Sequence, residues 1–273
     1  MQIQNHVKSE PWGRWPRCSR VEVREGTLLC VLDWDNQYDL ESAYSNRPHL
    51  SFLQLRTDDE LRHFTLRWGP LNLVRSARSE IRVSVVEFWS EQRLLSALLR
   101  LVNAVRNRTN ERDAVAAFVT ADRKANELAF EPDPPFVRSI LGKFFPAASD
   151  FVEAVHEADI GTVRDAAAEI VRRHTMVVAS AGFDVKPGRK PEIVARLQML
   201  NLLEALKWMV WRDEWRGQPL AYCPECDKAF GPRSKHAKKY CSPECAHKVA
   251  ARDWARRQSA SKKKPTSKKG RSR

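Results

Sequence analysis

The sequence contains no run of apolar residues long enough to cross a lipid bilayer, which takes about 20 consecutive residues. Its first residues, MQIQNHVKSEPWGRW, also lack the apolar middle segment of a secretory signal peptide. These absences argue against a membrane protein and against a secreted one. We therefore expect a cytoplasmic protein that has no membrane partner.

The motifs of several large enzyme classes are missing as well. There is no P-loop, dinucleotide fingerprint, His-Glu-x-x-His motif or nucleophile elbow, and we name no catalytic residue. One enzymatic alternative stays open in the N-terminal part of the chain. Asp33 and Asp35 flank Trp34 after an apolar segment, where carboxylates could hold a metal ion as they do in nucleases. Such residues also often simply start a turn.

Apolar and charged residues are present in ordinary amounts, 42% and 30% of 273 residues, as in a globular protein. This length can form one large domain or two smaller ones. We predict a mostly α-helical fold with a small N-terminal β portion. The predicted strands are VEVRE (21–25) and TLLCVLDW (27–34), separated by Gly26, and then HLSFLQL (49–55).

Helix signals dominate the rest of the first 216 residues. Thr57 and Glu60 form a capping box, which predicts a helix that begins there and ends near Gly69 and Pro70. Apolar residues at helical spacing predict further helices from after Ser79 to about Val105, and at Asp113–Leu128, Ser149–Ala158, Thr162–Ala179 and Pro191–Trp215. The segment EPDPPF (131–136) interrupts this pattern, as a linker or a rigid loop would.

Four of the six cysteines fall within 23 residues, as Cys223-x2-Cys226 and Cys241-x3-Cys245 separated by fourteen residues. In a cytoplasmic chain this clustering favours metal binding over disulfides. Two short pairs of thiolates can complete a tetrahedral zinc shell, which leaves no position for a substrate. The sequence therefore predicts one structural Zn²⁺, held by these four cysteines. Cys18 and Cys30 are predicted to be buried thiols.

The residues within each cysteine pair predict the local geometry. Pro224 and Glu225 predict a tight turn whose amides point at thiolate sulfur. Ser242 fits the N-cap of a helix and Pro243 its first position, so that Cys245 lies in the first turn. A pair on a turn and a pair at a helix start form a treble-clef arrangement.

The segment between the pairs predicts a small hairpin of residues 228–230 and 239–240, with Phe230 and Tyr240 as its core. His236 and His247 lie nearby and are left out of the ligand set, because four thiolates already complete the shell.

Positive charge is concentrated at the C-terminal end. Residues 221–273 hold 16 basic and 4 acidic groups, whereas the other 220 residues hold 31 and 30. Such asymmetry points to a polyanionic partner, although a charged helix or tail can also be a merely solvated surface. The predicted nucleic-acid contacts are Arg233, Lys235, Lys238 and Lys239 in the loop and Lys248, Arg252, Arg256 and Arg257 on the helix. The four helix residues can share one broad face, with Trp254 and Val249 turned elsewhere.

These observations divide the chain into four regions. They are an α+β region (1–130), a helical region (136–216) that can belong to the same domain, a four-cysteine zinc finger (220–258) and a basic tail (259–273). The tail has seven basic residues and no acidic one, so we expect it to be disordered and to track phosphates.

Residues 220–257 resemble bacterial zinc-finger proteins related to the CGNR-type finger. The shared pattern is a cysteine pair, an aromatic residue, a basic loop, a second cysteine pair and a basic helix. RHFTLRWGPLNL (62–73) and the helix before the finger are similar to the body of such proteins. The tetrad that names the group is absent, since residues 245–248 read Cys-Ala-His-Lys, and the gaps within the cysteine pairs are shorter. The resemblance implies a DNA-binding regulator whose N-terminal domain senses a ligand or partner.

The leading hypothesis is a zinc-finger DNA-binding protein, a regulator of transcription, whose helical body serves sensing or self-association. The alternative is an RNA- or ribosome-associated protein that uses the same basic module, because phosphate contacts do not distinguish the polymers. A third hypothesis is that the finger binds a protein.

Overall fold

The computed structural model describes residues 10–12, 14–39, 43–72, 79–128, 148–174, 179–186, 192–199, 201–231 and 239–262. The protein is mostly helical with a small N-terminal antiparallel sheet, as predicted. Its helices are α1 Pro48–Gln54, α2 Asp58–Trp68, α3 Val85–Asn107, α4 Glu111–Leu128, α5 Ala148–Glu157, α6 Ile160–His174, α7 Leu202–Trp215 and α8 Pro243–Lys262. Its strands are β1 Glu10–Trp12, β2 Arg14–Arg24, β3 Thr27–Asp39, β4 Glu80–Ser84, β5 Ala179–Lys186, β6 Glu192–Met199, β7 Ala221–Tyr222 and β8 Ala229–Phe230.

The N-terminal sheet has the order β2-β3-β4, and both pairs are antiparallel. The predicted strands around Gly26 are confirmed and are longer than expected. Glu25 and Gly26 have φ of 47° and 73°, the left-handed geometry that a tight hairpin turn requires. Cys18 and Cys30 are buried between this sheet and the helices, as predicted.

The prediction of a strand at HLSFLQL is wrong, because these residues form α1. Pro48 occupies the first turn, where its missing N–H costs nothing. His49, Phe52 and Leu53 are fully buried at a spacing of three and four residues, which is helical and not alternating.

The capping box of α2 is confirmed. The Thr57 side chain accepts a hydrogen bond from the Glu60 amide at 3.2 Å, and the Glu60 carboxylate accepts one from the Thr57 amide. The helix ends at Gly69, where φ is 79° and an added Cβ would lie 2.5 Å from the Pro16 carbonyl oxygen. Only glycine fits that approach.

In two of the predicted helical ranges the first residues form a strand instead. Residues 80–84 form β4, in which Val83 and Ile81 pair with Leu28 and Cys30, so α3 begins only after the Ser84 N-cap. The prediction of one helix over 191–215 is also wrong, since β6 comes first and pairs with β5 and β1. The side chain of Asn201 then caps α7 by accepting from the Glu204 amide at 2.8 Å.

The predicted helices α4 and α5 are confirmed within two residues, while α6 ends at His174 and not near Ala179. The main hydrophobic core includes residues from both sides of the EPDPPF segment, among them Phe88, Phe118, Val163 and Leu206. The segment itself lies outside the described residues. No helix in the described ranges is long and apolar enough to cross a membrane.

Buried polar groups fix α1 within this core. The Gln92 amide of α3 donates to the carbonyls of Phe52 and Leu55 at 3.2 and 3.0 Å, at the C-terminal end of α1. At the other end His49 Nε2 lies 2.9 Å from Asp213 Oδ2, and the Tyr44 hydroxyl also bonds to that carboxylate. Because α1 is held at both ends, it forms a rigid platform.

Candidate metal centre and nucleic-acid interface

The four predicted ligands come together as the sequence indicated. The Sγ atoms of Cys223, Cys226, Cys241 and Cys245 all lie within 4.8 Å of one another. Cys226 and Cys241 are 3.4 Å apart, and Cys241 and Cys245 are 3.6 Å apart. Sulfur atoms bound tetrahedrally at about 2.3 Å from zinc lie about 3.8 Å apart, so the cluster has the dimensions of a single metal site.

The first cysteine pair lies on a tight turn between β7 and β8. The Cys223 amide donates to the Lys228 carbonyl at 3.0 Å, and the Asp227 amide donates to the Cys223 carbonyl at 2.8 Å. Asp227 has a φ of 56°, which lets the chain reverse directly after Cys226. The turn predicted at Pro224 and Glu225 is therefore present, as part of the loop that joins these two strands.

The predicted hairpin partner is wrong. Ala229 and Phe230 pair with Ala221 and Tyr222, whereas Lys239 and Tyr240 lie in a bend. The predicted small core is present, because Phe230 packs with Cys223 and Cys245 and Tyr240 packs against them.

The second pair begins α8 as predicted. The Ser242 hydroxyl accepts from the Cys245 amide at 3.4 Å, and Pro243 is the first helical residue. Cys245 thus lies where free amides and the positive end of the helix dipole favour a thiolate, but without a cation the burial of its thiol dominates and raises its pKa.

The electrostatics of the cluster fit a cation. Burial opposes ionisation of Cys223, but the backbone amides of Cys241, Glu225 and Cys226 lower the pKa of its thiol to about 6. Burial and the neighbouring cysteines raise the pKa of Cys241 to about 12. Four thiols this close cannot all lose their protons unless a positive charge compensates them, and a bound metal ion would supply that charge.

Residues 220–231, which we call the docked half, are fastened to the body of the protein (residues 15–215). The Gln54 amide of α1 donates to the Ala229 carbonyl at 2.6 Å, and the Asn103 amide of α3 donates to the Leu220 carbonyl at 3.0 Å. Leu220 and Ala229 are fully buried and belong to the main hydrophobic core.

An arginine of α3 adds a second anchor for the docked half. Arg100 binds Asp227 at 2.6 Å, and its guanidinium lies 3.9 Å from the centre of the Tyr222 ring. The Arg56 guanidinium donates to the Asp227 carbonyl at 3.1 Å. The sequence offered no signal for these contacts, which join residues more than 100 positions apart.

Residues 239–262, which we call the projecting half, meet the body differently. A cavity of about 370 Å³ lies between α1 and the second cysteine pair, and Leu50, Cys241 and Pro243 are among its lining residues. Beyond Val249 every described side chain of α8 is exposed, through Ser259. The exposed turns beyond Val249 gain little from packing against the body, so the cysteine cluster and the first turns of α8 hold the helix in place.

The predicted nucleic-acid contacts divide into two groups. Arg233, Lys235 and Lys238 lie outside the described residues, as does the predicted tail from residue 263. The prediction of disorder from residue 259 is wrong for residues 259–262, which form the last turn of α8. Lys239, Lys248, Arg256 and Arg257 are exposed, on or just before α8. Arg257 lies about 100° around the helix from Arg256, so the cations cover two sides of α8 and not one face.

Arg252 has a second role that sequence reasoning missed. Its guanidinium forms an ion pair with Glu225, which lies in the turn of the first cysteine pair. It thus connects the projecting half to the docked half. Trp254 was predicted to face away from the basic residues, and no role was assigned to it. In the structure this residue is 62% exposed.

The enzymatic alternative gains no support from the geometry. Asp33 Oδ1 accepts a hydrogen bond from the Asn36 amide at 3.1 Å, as in a turn. In the described part of the chain, the four cysteines are the only group of three or more His, Cys, Asp or Glu side chains close enough to hold a metal.

Comparison with known proteins gave no matching family model, no matching curated protein and no matching solved structure. The resemblance to CGNR-type fingers therefore stays a prediction from the motif.

Proposed function

We propose that this protein is a zinc-finger DNA-binding protein in which one structural Zn²⁺ positions a basic helix on duplex DNA. The observation that carries the proposal is the joining of two features: a four-cysteine cluster with the dimensions of a metal site, and an exposed basic helix that begins at this cluster. The turn of the first pair and the helix start of the second pair support a treble-clef arrangement.

Zinc is the metal that this site favours. Ligand sets of sulfur alone bind zinc or iron in preference to magnesium or calcium, and four thiolates leave no open position for catalysis. The metal would therefore be structural. It would fix the start of α8 relative to the turn of Cys223 and Cys226.

The charge of the projecting half supports a polyanionic partner. Lys239, Lys248, Arg256 and Arg257 are exposed, and no ion pair within the described residues is seen for them. Positive side chains on a protruding helix can approach phosphates on both sides of a groove. The body is nearly neutral and is not expected to bind DNA strongly. In this proposal its role is to sense a ligand or to self-associate.

The test is metal analysis together with salt-dependent duplex binding by the full-length protein. One zinc per chain is expected, with an affinity that falls steeply as salt rises. The variant Lys248→Gln/Arg256→Gln/Arg257→Gln should reduce the slope of log affinity against log salt by about 0.9 for each phosphate that it no longer neutralises. The matched control Arg24→Gln/Arg93→Gln/Arg172→Gln removes three exposed cations from the body and should leave the slope unchanged.

Each outcome separates the hypotheses. Absence of metal overturns the zinc centre, and equal reductions in both variants show that only net charge matters. Metal without duplex binding overturns the nucleic-acid role and favours a protein partner. Structured RNA that outcompetes duplex DNA at equal salt replaces this proposal with RNA or ribosome association.

A further inference from the structure

Trp254 is a large apolar side chain on an otherwise polar, exposed helix. Its indole is 62% exposed and lies among Ala, Arg and Asp residues of α8. A tryptophan in solvent contributes little to the folding of a monomer, and tryptophan is enriched where proteins contact partners. Trp254 is therefore the side chain of α8 best suited to contact a partner.

The geometry of α8 places Trp254 opposite the metal. Successive residues of an α-helix are about 100° apart, so Trp254, nine residues after Cys245, lies about 180° around the helix from it. Arg252 lies about 20° from Cys245 on the same helical geometry, and its ion pair with Glu225 confirms which side faces the metal. His247 lies within about 20° of Trp254 and is also exposed.

Small residues flank this side of the helix. Ala250 and Ala251 lie about 40° and 60° from Trp254 on either side, and both are exposed. We call the surface of His247, Ala250, Ala251 and Trp254 the far face. Its alanines let another molecule approach the helix backbone closely.

Positive charge borders the far face. Arg257 lies about 60° from Trp254 on one side, and Lys248 about 120° on the other. Asp253 lies about 100° away, and Glu244 about 15 Å nearer the start of the helix. An apolar and hydrogen-bonding strip between two cations complements a nucleic-acid groove, with bases at its floor and phosphates on its rims.

Resting on the proposed function above, we propose that the far face of α8 enters the major groove of duplex DNA, where Trp254 contacts a thymine methyl group. A helix with its side chains is about 10–12 Å across and the major groove is about 12 Å wide, so the exposed turns beyond Val249 fit. Lys248 and Arg257 then reach the phosphates on the two rims. His247 can hydrogen-bond to a base edge.

The experiment begins by selecting preferred duplexes from a randomised pool with the full-length, zinc-loaded protein. The selected duplex is then compared with a scrambled one for the wild type, Trp254→Ala and Trp215→Ala. Trp215 is the matched control, because it is 76% exposed but lies on α7 of the body. Trp254→Ala should lower affinity for the selected duplex about 10-fold and leave the scrambled duplex unchanged, as expected when an interaction with one base is removed.

Replacing thymines of the selected duplex by deoxyuridine isolates the methyl group. Wild-type affinity should fall at one such position, and Trp254→Ala should be insensitive there. Trp254→Phe should retain part of the preference. Equal zinc content and equal unfolding temperatures in all variants show that the changes arise in binding and not in folding.

The results that would overturn this inference differ from those that would overturn the proposed function. Selection of no preferred sequence, or an equal fall in affinity on both duplexes for Trp254→Ala, overturns base contact by the far face while salt-dependent binding persists. An equal effect of Trp215→Ala also overturns it. Loss of all duplex binding by the wild type overturns the proposed function itself.

Discussion

The docked half of the cysteine cluster is held to the body by side chains of α1 and α3, whereas the projecting half begins a helix that stands in solvent. The docked half receives hydrogen bonds from Gln54, Arg100 and Asn103, and the Arg100 guanidinium also stacks on one of its rings. The projecting half faces a cavity and is joined to the docked half by the cysteine cluster and by the ion pair Arg252–Glu225. The difference indicates that the cysteine cluster connects the docked half, which the body holds in place, to the projecting half, whose position depends on the cluster.

The strongest test of this comparison removes the metal. Cys226→Ser should lose zinc and lower duplex affinity by about 100-fold or more, because binding of a structural zinc contributes on the order of 10 kcal/mol to local folding. Hydrogen exchange should show reduced protection in α8 and retained protection in α1, α3, β7 and β8. Cys18→Ala removes a thiol outside the cluster and should change neither. If α8 kept its protection without metal, the projecting half would not depend on the metal for its structure.

A second test weakens the platform under the docked half. Gln92→Leu leaves the carbonyls of Phe52 and Leu55 without their buried donor, which should lower the free energy of unfolding by about 2–4 kcal/mol. Urea unfolding measures this decrease. Gln218→Leu, at an exposed position, should have an effect within about 0.5 kcal/mol. Similar effects of the two variants would mean that α1 is not held by Gln92.

A third test alters the body and leaves the cluster intact. Burial, with some repulsion from Glu91, raises the pKa of Asp122 to about 6. This folded-state pKa exceeds the value in unfolded chains, so the folded protein binds more protons and loses stability as pH rises from about 4 to 7. Asp122→Asn should remove that pH-dependent destabilisation and stabilise the protein at pH 7 by up to about 3 kcal/mol.

Thermal unfolding between pH 4 and pH 7 measures the effect of Asp122→Asn. The advantage of the variant should vanish near pH 4, and zinc affinity at pH 7 should not change. Asp113→Asn, at an exposed position of the same helix, is the control. A variant that follows the same pH profile as the wild type would contradict the raised pKa.

The smallest expected effect concerns the link between the halves. Arg252→Gln and Glu225→Gln each break the ion pair, and their coupling energy in a double-mutant cycle should be at most about 1 kcal/mol, because the arginine is largely exposed. Zinc affinity by chelator competition is the readout. A larger coupling would mean that the pair, as well as the metal, positions α8.

Sequence reasoning succeeded where the determining signal is local. The capping box of Thr57 and Glu60 and the spacing of the four cysteines require only neighbouring residues, and both were predicted correctly. Residues 49–55, 80–84 and 192–199 were assigned wrongly, because partners elsewhere in the chain decide the state of such short apolar segments. Ile81 and Val83 form a strand since β3 is available to pair with them.

The docking of the cluster could not be predicted for the same reason. Asn103 and Leu220 meet only after the helices have packed, and neither residue type has a preference for the other. The exposed state of Trp254 also depends on how far α8 extends beyond the body.

Helix α8 is long and is held near its start, so a rotation at the cysteine cluster displaces its far end. The 17 residues that follow Cys245, up to the end of α8 at Lys262, span about 26 Å, so a rotation of about 10° at Cys245 moves that end by about 4.5 Å. That displacement exceeds the spacing of one base pair along DNA, about 3.4 Å. In the proposed complex with DNA, a small change in sulfur positions would thus shift the end of α8 by more than one base pair.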